Sequence, residues 1–160
     1  MATGPRRTAR ARGFTTIELV VVIVVIGILA VAVAPRFTDD LSFKTRGFHD
    51  EVFAAVEYAR QQAIAQRRVF CVVVTGATPP HVLVRKSYGS PTILLSCNPS
   101  ATDPRTNAPF DLTAPAGVTV TPATTIRFDW YGRPNAATTL TVSGAGSYTV
   151  TVEAETGHVH

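Results

Sequence analysis

The side chain that most needs an explanation is Glu18, a carboxylate at the head of a run that carries no further charge through residue 34. An acid inside a membrane span costs on the order of 2.5–3.5 kcal/mol at mid-bilayer, less near the edge, so such acids are functional suspects. Other groups that could do chemistry are sparse. Cys71 and Cys97 form no CxxC motif, and His49, His81, His158 and His160 lack metal-ligand spacing to one another or to cysteine. No metal site is expected. The stretch Ser143-Gly144-Ala145-Gly146-Ser147 is glycine-rich, but no lysine and helix follow it as a phosphate loop requires, and a hairpin turn accounts for it. His158 and His160 alternate along a terminus that is expected to fray, and His49 beside Asp50 and Glu51 reads as solvated. Catalysis needs a nucleophile, a base and an orienting group that converge. No such constellation stands out, so neither enzymatic activity nor a cofactor is expected.

The elements that position Glu18 explain more. Residues 1–12 are free of acids, and Arg6, Arg7, Arg10 and Arg12 are four of the 15 basic residues. Without them 15 − 4 = 11 bases face 11 acids, so the formal charge of +4 belongs to the leader and does not mark a surface for nucleic acid. From Ile17 the apolar run is about 18 residues, roughly 27 Å of helix, close to the ~30 Å hydrocarbon core. The N-terminal arginines would hold that end in the cytoplasm and place the rest outside. A secretory signal peptide fits less well. Ala32-Val33-Ala34 mimics its cleavage site, but Pro35 would follow the cut and the run is long. A plain anchor leaves Glu18 unexplained unless its carboxylate snorkels to water.

Gly13-Phe14-Thr15-Thr16-Ile17-Glu18-Leu19 followed by an apolar run resembles the class III signal of type IV prepilins and pseudopilins. The resemblance implies cleavage between Gly13 and Phe14 by a prepilin peptidase, N-methylation of Phe14, and retention of the apolar helix. It also gives Glu18 a task in assembly: its carboxylate can pair with the amine of Phe14 on a neighbouring subunit, so that two costly buried charges cancel only in register. Thr16 departs from the family, which usually has an apolar residue there. Proline near position 35 is common in pilins, so Pro35 is expected to kink a helix that continues.

Farther along, Phe48, Val52, Ala55, Val56, Ala59 and Ala63 recur at helical spacing, which predicts an amphipathic helix to about Arg68 with this stripe on a core. β-type runs follow at 69–75, 82–87, 92–97, 118–121, 125–130, 138–143 and 148–153, with residues 98–116 as a long loop interrupted by four prolines. The predicted fold is α+β: a long N-terminal helix, half in the membrane and half amphipathic, packed on an antiparallel sheet. Cys71 and Cys97 would face an oxidising compartment, where a disulfide is expected provided the fold brings their Cα atoms within about 7 Å.

The second half, with Ile126-Arg127-Phe128-Asp129, Tyr131-Gly132-Arg133-Pro134 and Thr156-Gly157, resembles the pseudopilin H and FimT group. Pro35-Arg36-Phe37 and the helix from Arg46 to Arg67 also resemble minor pilins of the mannose-sensitive hemagglutinin pilus. These likenesses imply three parts: a cleaved leader (1–13), a transmembrane and filament-core helix (14–35), and a periplasmic domain (36–160). The implied partners are other pilin or pseudopilin subunits, the prepilin peptidase, the inner membrane and its assembly platform. The implied role is a minor pseudopilin of type II secretion or, alternatively, a minor pilin for priming, adhesion or DNA uptake. Residues 98–116 would be the natural contact surface of a binding subunit. DNA is not expected, because the DNA-binding branch carries a Gly-Arg-x-Arg pattern where this chain has Gly157-His158-Val159-His160, and neutral histidines do not neutralise phosphate. Arg85-Lys86 with Tyr88 is a small basic-aromatic patch that reads as an exposed strand end.

Overall fold

Thr15 caps the first helix: its hydroxyl accepts the N–H of Glu18 at 3.3 Å and its carbonyl accepts that of Leu19 at 3.2 Å. This computed structural model describes residues 14–33, 40–87, 97–98 and 100–160. The leader with Gly13, the proposed kink at Pro35, the helix continuity through 34–39, Tyr88, and all of the expected strand 92–97 except Cys97 lie outside the described residues. The chain divides into two compact units, residues 1–39 and 40–160.

The first unit contributes α1 (Thr16–Val33). The second opens with α2 (Asp40–Gln66), whose first turn carries an Asp40–Lys44 ion pair. The six stripe residues from Phe48 to Ala63 are each at most 2% exposed. The helix ends where Arg67 adopts a left-handed backbone (φ 49°). Its N–H reaches Ile64 O at 3.4 Å and the Arg68 N–H reaches Ala63 O at 3.1 Å, a Schellman closure with arginine where glycine is usual.

The strands are β1 (Phe70–Val74), β2 (His81–Lys86), β3 (Asp111–Thr113), β4 (Thr119–Thr121), β5 (Thr124–Phe128), β6 (Thr138–Ser143) and β7 (Ser147–Val152). One sheet was predicted and two are present. β3-β2-β1-β5 form a four-stranded antiparallel sheet and β4-β6-β7 a three-stranded one. The chain changes sheet at Pro122-Ala123, where proline has no N–H to continue a ladder. The α2 stripe packs against strands of both sheets. Val72 lies opposite Val84 and Ile126, while Leu140 lies opposite Val150, and all are fully buried. Each such side chain stabilises by about 1.5–3 kcal/mol, which makes this shared core the scaffold for everything on the surface. Thr45 fastens the β6–β7 hairpin to α2. Its buried hydroxyl donates to Leu41 O at 2.6 Å and accepts the Ala145 N–H at 3.3 Å, with Gly144 so close that any side chain there would meet Thr45.

Four local expectations are corrected. Residues 98–116 are not an open loop. They contain β3, and the bridges Arg85↔Ser100 and Thr102↔Pro109 tie them to the sheet and to themselves. The alternating buried Phe110, Leu112 and Ala114 outweigh the prolines. The terminus does not fray, because Val159 is buried and His160 exchanges hydrogen bonds of 2.7 and 3.0 Å with Thr151. β5 stops at Phe128, since Asp129 turns the chain. His49 is engaged rather than simply solvated: its Nδ1 is 2.9 Å from Asp50, its Nε2 is 3.3 Å from Thr149 O, and its ring lies 5.6 Å from that of Tyr148.

Candidate functional site

α1 is apolar on every side, and its large side chains from Ile17 to Leu29 stand exposed. A helix of this kind needs cover from lipid or from other protein. Phe14 precedes it at 82% exposure, and Glu18 is the acid of its first turn. Thr15-Thr16-Ile17-Glu18 is thus an S/T-x-x-E start, and a carboxylate there also favours the positive end of the helix dipole. The Thr15–Glu18 spacing in the sequence carries that signal. α1 extends about 27 Å. Among the described residues, no helix is long and apolar enough to cross a membrane.

Cys71 and Cys97 are joined by a disulfide, with Cα atoms 5.9 Å apart. It adds a covalent tie between fully buried Cys71 in β1 and the segment leading to Ser100. Arg85 sits opposite Cys71 in the ladder, half-buried, and its Nε has no hydrogen-bond partner among the described residues. It is therefore not the freely exposed strand end expected. Among the described residues, no group of three or more His, Cys, Asp or Glu could hold a metal.

Sequence reasoning missed two surface features. The first is a groove of about 420 Å³ between α2 and the segment 103–110. Ala54, Tyr58, Pro104 and Phe110 line its floor, with the Tyr58 and Phe110 rings stacked at 5.4 Å. Asp50 and Glu51 form an acidic rim on the helix side. Across from them buried Asp103 accepts the Arg105 N–H at 2.8 Å and its guanidinium at 3.0 Å, and these bonds hold the Asp103 carboxyl below its ordinary pKa. Burial, and secondarily the Asp103 charge, push the Tyr58 phenol up, while its O–H donates to Thr102 O at 3.0 Å. The second feature is the turn 129–133 beside the end of α2. Asp129 Oδ1 accepts the N–H groups of Tyr131 and Arg133 at 2.9 and 2.8 Å, and Asp129 N–H donates to Arg133 O at 2.9 Å. Gly132 adopts φ 79° and lies against Ile64, where a Cβ would come within 2.7 Å. The turn therefore presents Tyr131, 68% exposed, with the Arg133 guanidinium 5.9 Å from its ring centre. Only the acid–glycine spacing of Asp129 and Gly132 hinted at this.

The helix-on-sheets domain and its surface meet a known pattern: the model of the family described as type II transport protein GspH matches residues 50–157. The chain belongs to the GspH family. Within curated proteins, it is similar to the type IV narrow pilus major component PilA5 of Thermus thermophilus, 44% identical over 59 residues. That match covers 37% of this chain, and the chain spans about half (51%) of that relative's length. Among solved structures it is similar to the type IV minor pilin FimU of Pseudomonas aeruginosa, with a TM-score of 0.51 at 15% identity, covering 76% of this chain and 87% of FimU. A second crystal form of FimU gives 0.50. At that identity the likeness speaks for fold, and the fold is α+β and type IV pilin-like. This GspH-family chain thus stands among pilin and pseudopilin subunits, which are structural proteins.

Proposed function

We propose that the chain is a minor pseudopilin of a type II secretion system, a structural subunit without catalytic activity that is built into a short periplasmic pseudopilus. The observation that carries this reading is α1, apolar on all sides with its large side chains exposed and with Glu18 in its first turn, joined in one chain to a GspH-family domain. In this reading the prepilin peptidase cuts between Gly13 and Phe14 and Phe14 is N-methylated. The mature chain then waits in the inner membrane as a single-pass protein, its domain periplasmic. A helix somewhat shorter than the bilayer core is accommodated by local thinning, at fractions of a kcal/mol per Å. On extraction by the assembly platform, α1 trades lipid for the helices of neighbours, and Glu18 pairs with the Phe14 amine of an adjacent subunit.

A second reading, a minor pilin of a type IV pilus, is favoured by the likeness to PilA5 and FimU, both named as pilus components. In-cell crosslinking of the native protein, with mass spectrometry of its neighbours, separates the two. Crosslinks to pseudopilins and the secretion platform support the first. Crosslinks to a major pilin and pilus minor pilins overturn it in favour of the second.

A further inference from the structure

The end of α2 and the turn 129–133 enclose a concavity of about 480 Å³ lined by Ile64, Arg67, Trp130 and Tyr131. Its walls are aromatic. The Trp130 and Tyr131 rings stand 5.7 Å apart with their planes at 50°, an open V, and Ile64 beside them is 43% exposed. Its cations are free. Among the described residues the Arg67 guanidinium has no hydrogen-bonding or ionic partner, and that of Arg133 has only the Tyr131 ring at 5.9 Å. The acids nearby are committed elsewhere. Asp129 Oδ1 accepts the N–H groups of Tyr131 and Arg133, and Glu57, two turns back on the Ile64 side of α2, is held by Arg60 at 3.3 Å and Gln61 at 3.1 Å. Glu155, in the turn that Gly157 closes against Gly132, does not line the concavity. Arg67 takes a left-handed backbone (φ 49°) that glycine would adopt more easily, so a cation is maintained beside the rings at some conformational cost.

A rigid aromatic V flanked by unpaired guanidinium groups suits a ligand with a flat C–H face, hydroxyl groups and a carboxylate. Such C–H bonds carry partial positive charge and meet the negative faces of the rings. The carboxylate fits the planar fork of an arginine, which a lysine would not match. The half-buried Trp130 indole N–H has no partner among the described residues, which leaves it to donate to a hydroxyl. Size decides against larger partners. Small-ligand sites run from about 300 to 1,000 Å³, the range of this one, whereas a protein partner would bury roughly 800 Å² per side. A nucleic-acid strand needs a cationic groove that tracks its backbone for about 4–16 nucleotides, not two guanidinium groups at one pocket. We propose that this concavity binds a carboxylated sugar unit of an acidic polysaccharide. Trp130 and Tyr131 stack on the sugar ring, and Arg67 and Arg133 pair with its carboxylate and hydroxyls. The inference adds a ligand to the structural subunit and does not depend on which filament the subunit joins.

Trp130 is the one tryptophan of the sequence, so its fluorescence reports on this site alone. The full-length chain in detergent micelles is titrated with tetragalacturonate, with a muramic-acid-containing disaccharide of the cell wall, and with neutral cellotetraose. The expected result is a saturable change with an acidic glycan and binding of cellotetraose at least about tenfold weaker. The tighter of the two acidic probes identifies the source, wall glycan or extracellular polysaccharide. Arg67→Gly tests the cation without harming the fold, because glycine suits the left-handed backbone. Its thermal melting should be unchanged or raised while its affinity for the acidic glycan falls about tenfold. Tyr131→Ala, which removes an exposed ring, should weaken binding by a similar factor, and Arg46→Gln, at an exposed position elsewhere on α2, should leave it unchanged. Equal affinity for cellotetraose, undiminished binding by Arg67→Gly, or no saturable response to either acidic glycan would overturn the proposal. So would tighter binding of tetraglutamate or of a four-nucleotide oligothymidylate, which would assign the pocket to an acidic peptide or to nucleic acid.

Discussion

In the proposed reading Glu18 has two physical roles. As the acid of a capped first turn it supports helix initiation, worth some tenths to about 1 kcal/mol. As a charge in an apolar assembly it needs a cation. Glu18→Gln retains hydrogen-bonding ability but removes the charge, whereas Glu18→Ala removes both. Both variants should insert into the membrane normally and be depleted from filaments, as measured by fractionation and recovery of assembled material. Normal incorporation of both would contradict the charge-pairing account. Asp103 allows a second residue-scale prediction. Its pKa is held below the ordinary carboxylate value, chiefly by the Arg105 hydrogen bond, so the charged form stabilises the fold. That stability is fully present above the unfolded value, about pH 4, and is lost as pH falls through the folded value. Asp103→Asn should flatten the acid limb of the stability curve measured by urea unfolding between pH 2 and pH 5. The Thr15 cap on Glu18 was readable from spacing alone, but the Asp103–Arg105 pair was not. Nothing in the string Asp103-Pro104-Arg105 distinguishes a buried carboxylate held by an exposed arginine from a solvated turn.

At the scale of elements, period was a faithful guide along α2. The α2 stripe was legible to the residue because Phe48 through Ala63 repeat at helical spacing over several turns and face a continuous core. Residues 98–116 misled because four prolines mark local turns but say nothing about the alternate burial of Phe110, Leu112 and Ala114. The terminus misled because position in a chain is a weaker predictor than burial and hydrogen bonding. Deleting residues 158–160 should therefore destabilise the domain by about 3 kcal/mol, from the lost Val159 burial and three backbone bonds, measured by urea unfolding. No change would mean that the edge beside β7 adds nothing. The Cys71–Cys97 disulfide closes a loop over a sequence separation of 26, for which the chain-entropy model gives about 3.5 kcal/mol. A Cys71→Ala, Cys97→Ala double variant, or the reduced protein, should show a correspondingly lower unfolding midpoint.

For the whole molecule, the α+β class and helix-on-sheet architecture followed from the sequence because a long amphipathic helix and a series of short strands leave few ways to bury both apolar faces. The division into two sheets did not follow, since strand order depends on non-local pairing that the local pattern does not encode. The groove beside α2 also escaped, being assembled from α2 and a segment some fifty residues away that meet only in three dimensions. In the proposed reading α1 is retained in the mature protein and built into an assembly. The most direct test of this is intact-mass and N-terminal analysis of the chain recovered from isolated filaments. The expected product is a chain that begins at Phe14, one methyl group heavier than the unmodified sequence. A chain that begins after Ala34, or one found only as an uncut precursor outside any filament, would contradict it.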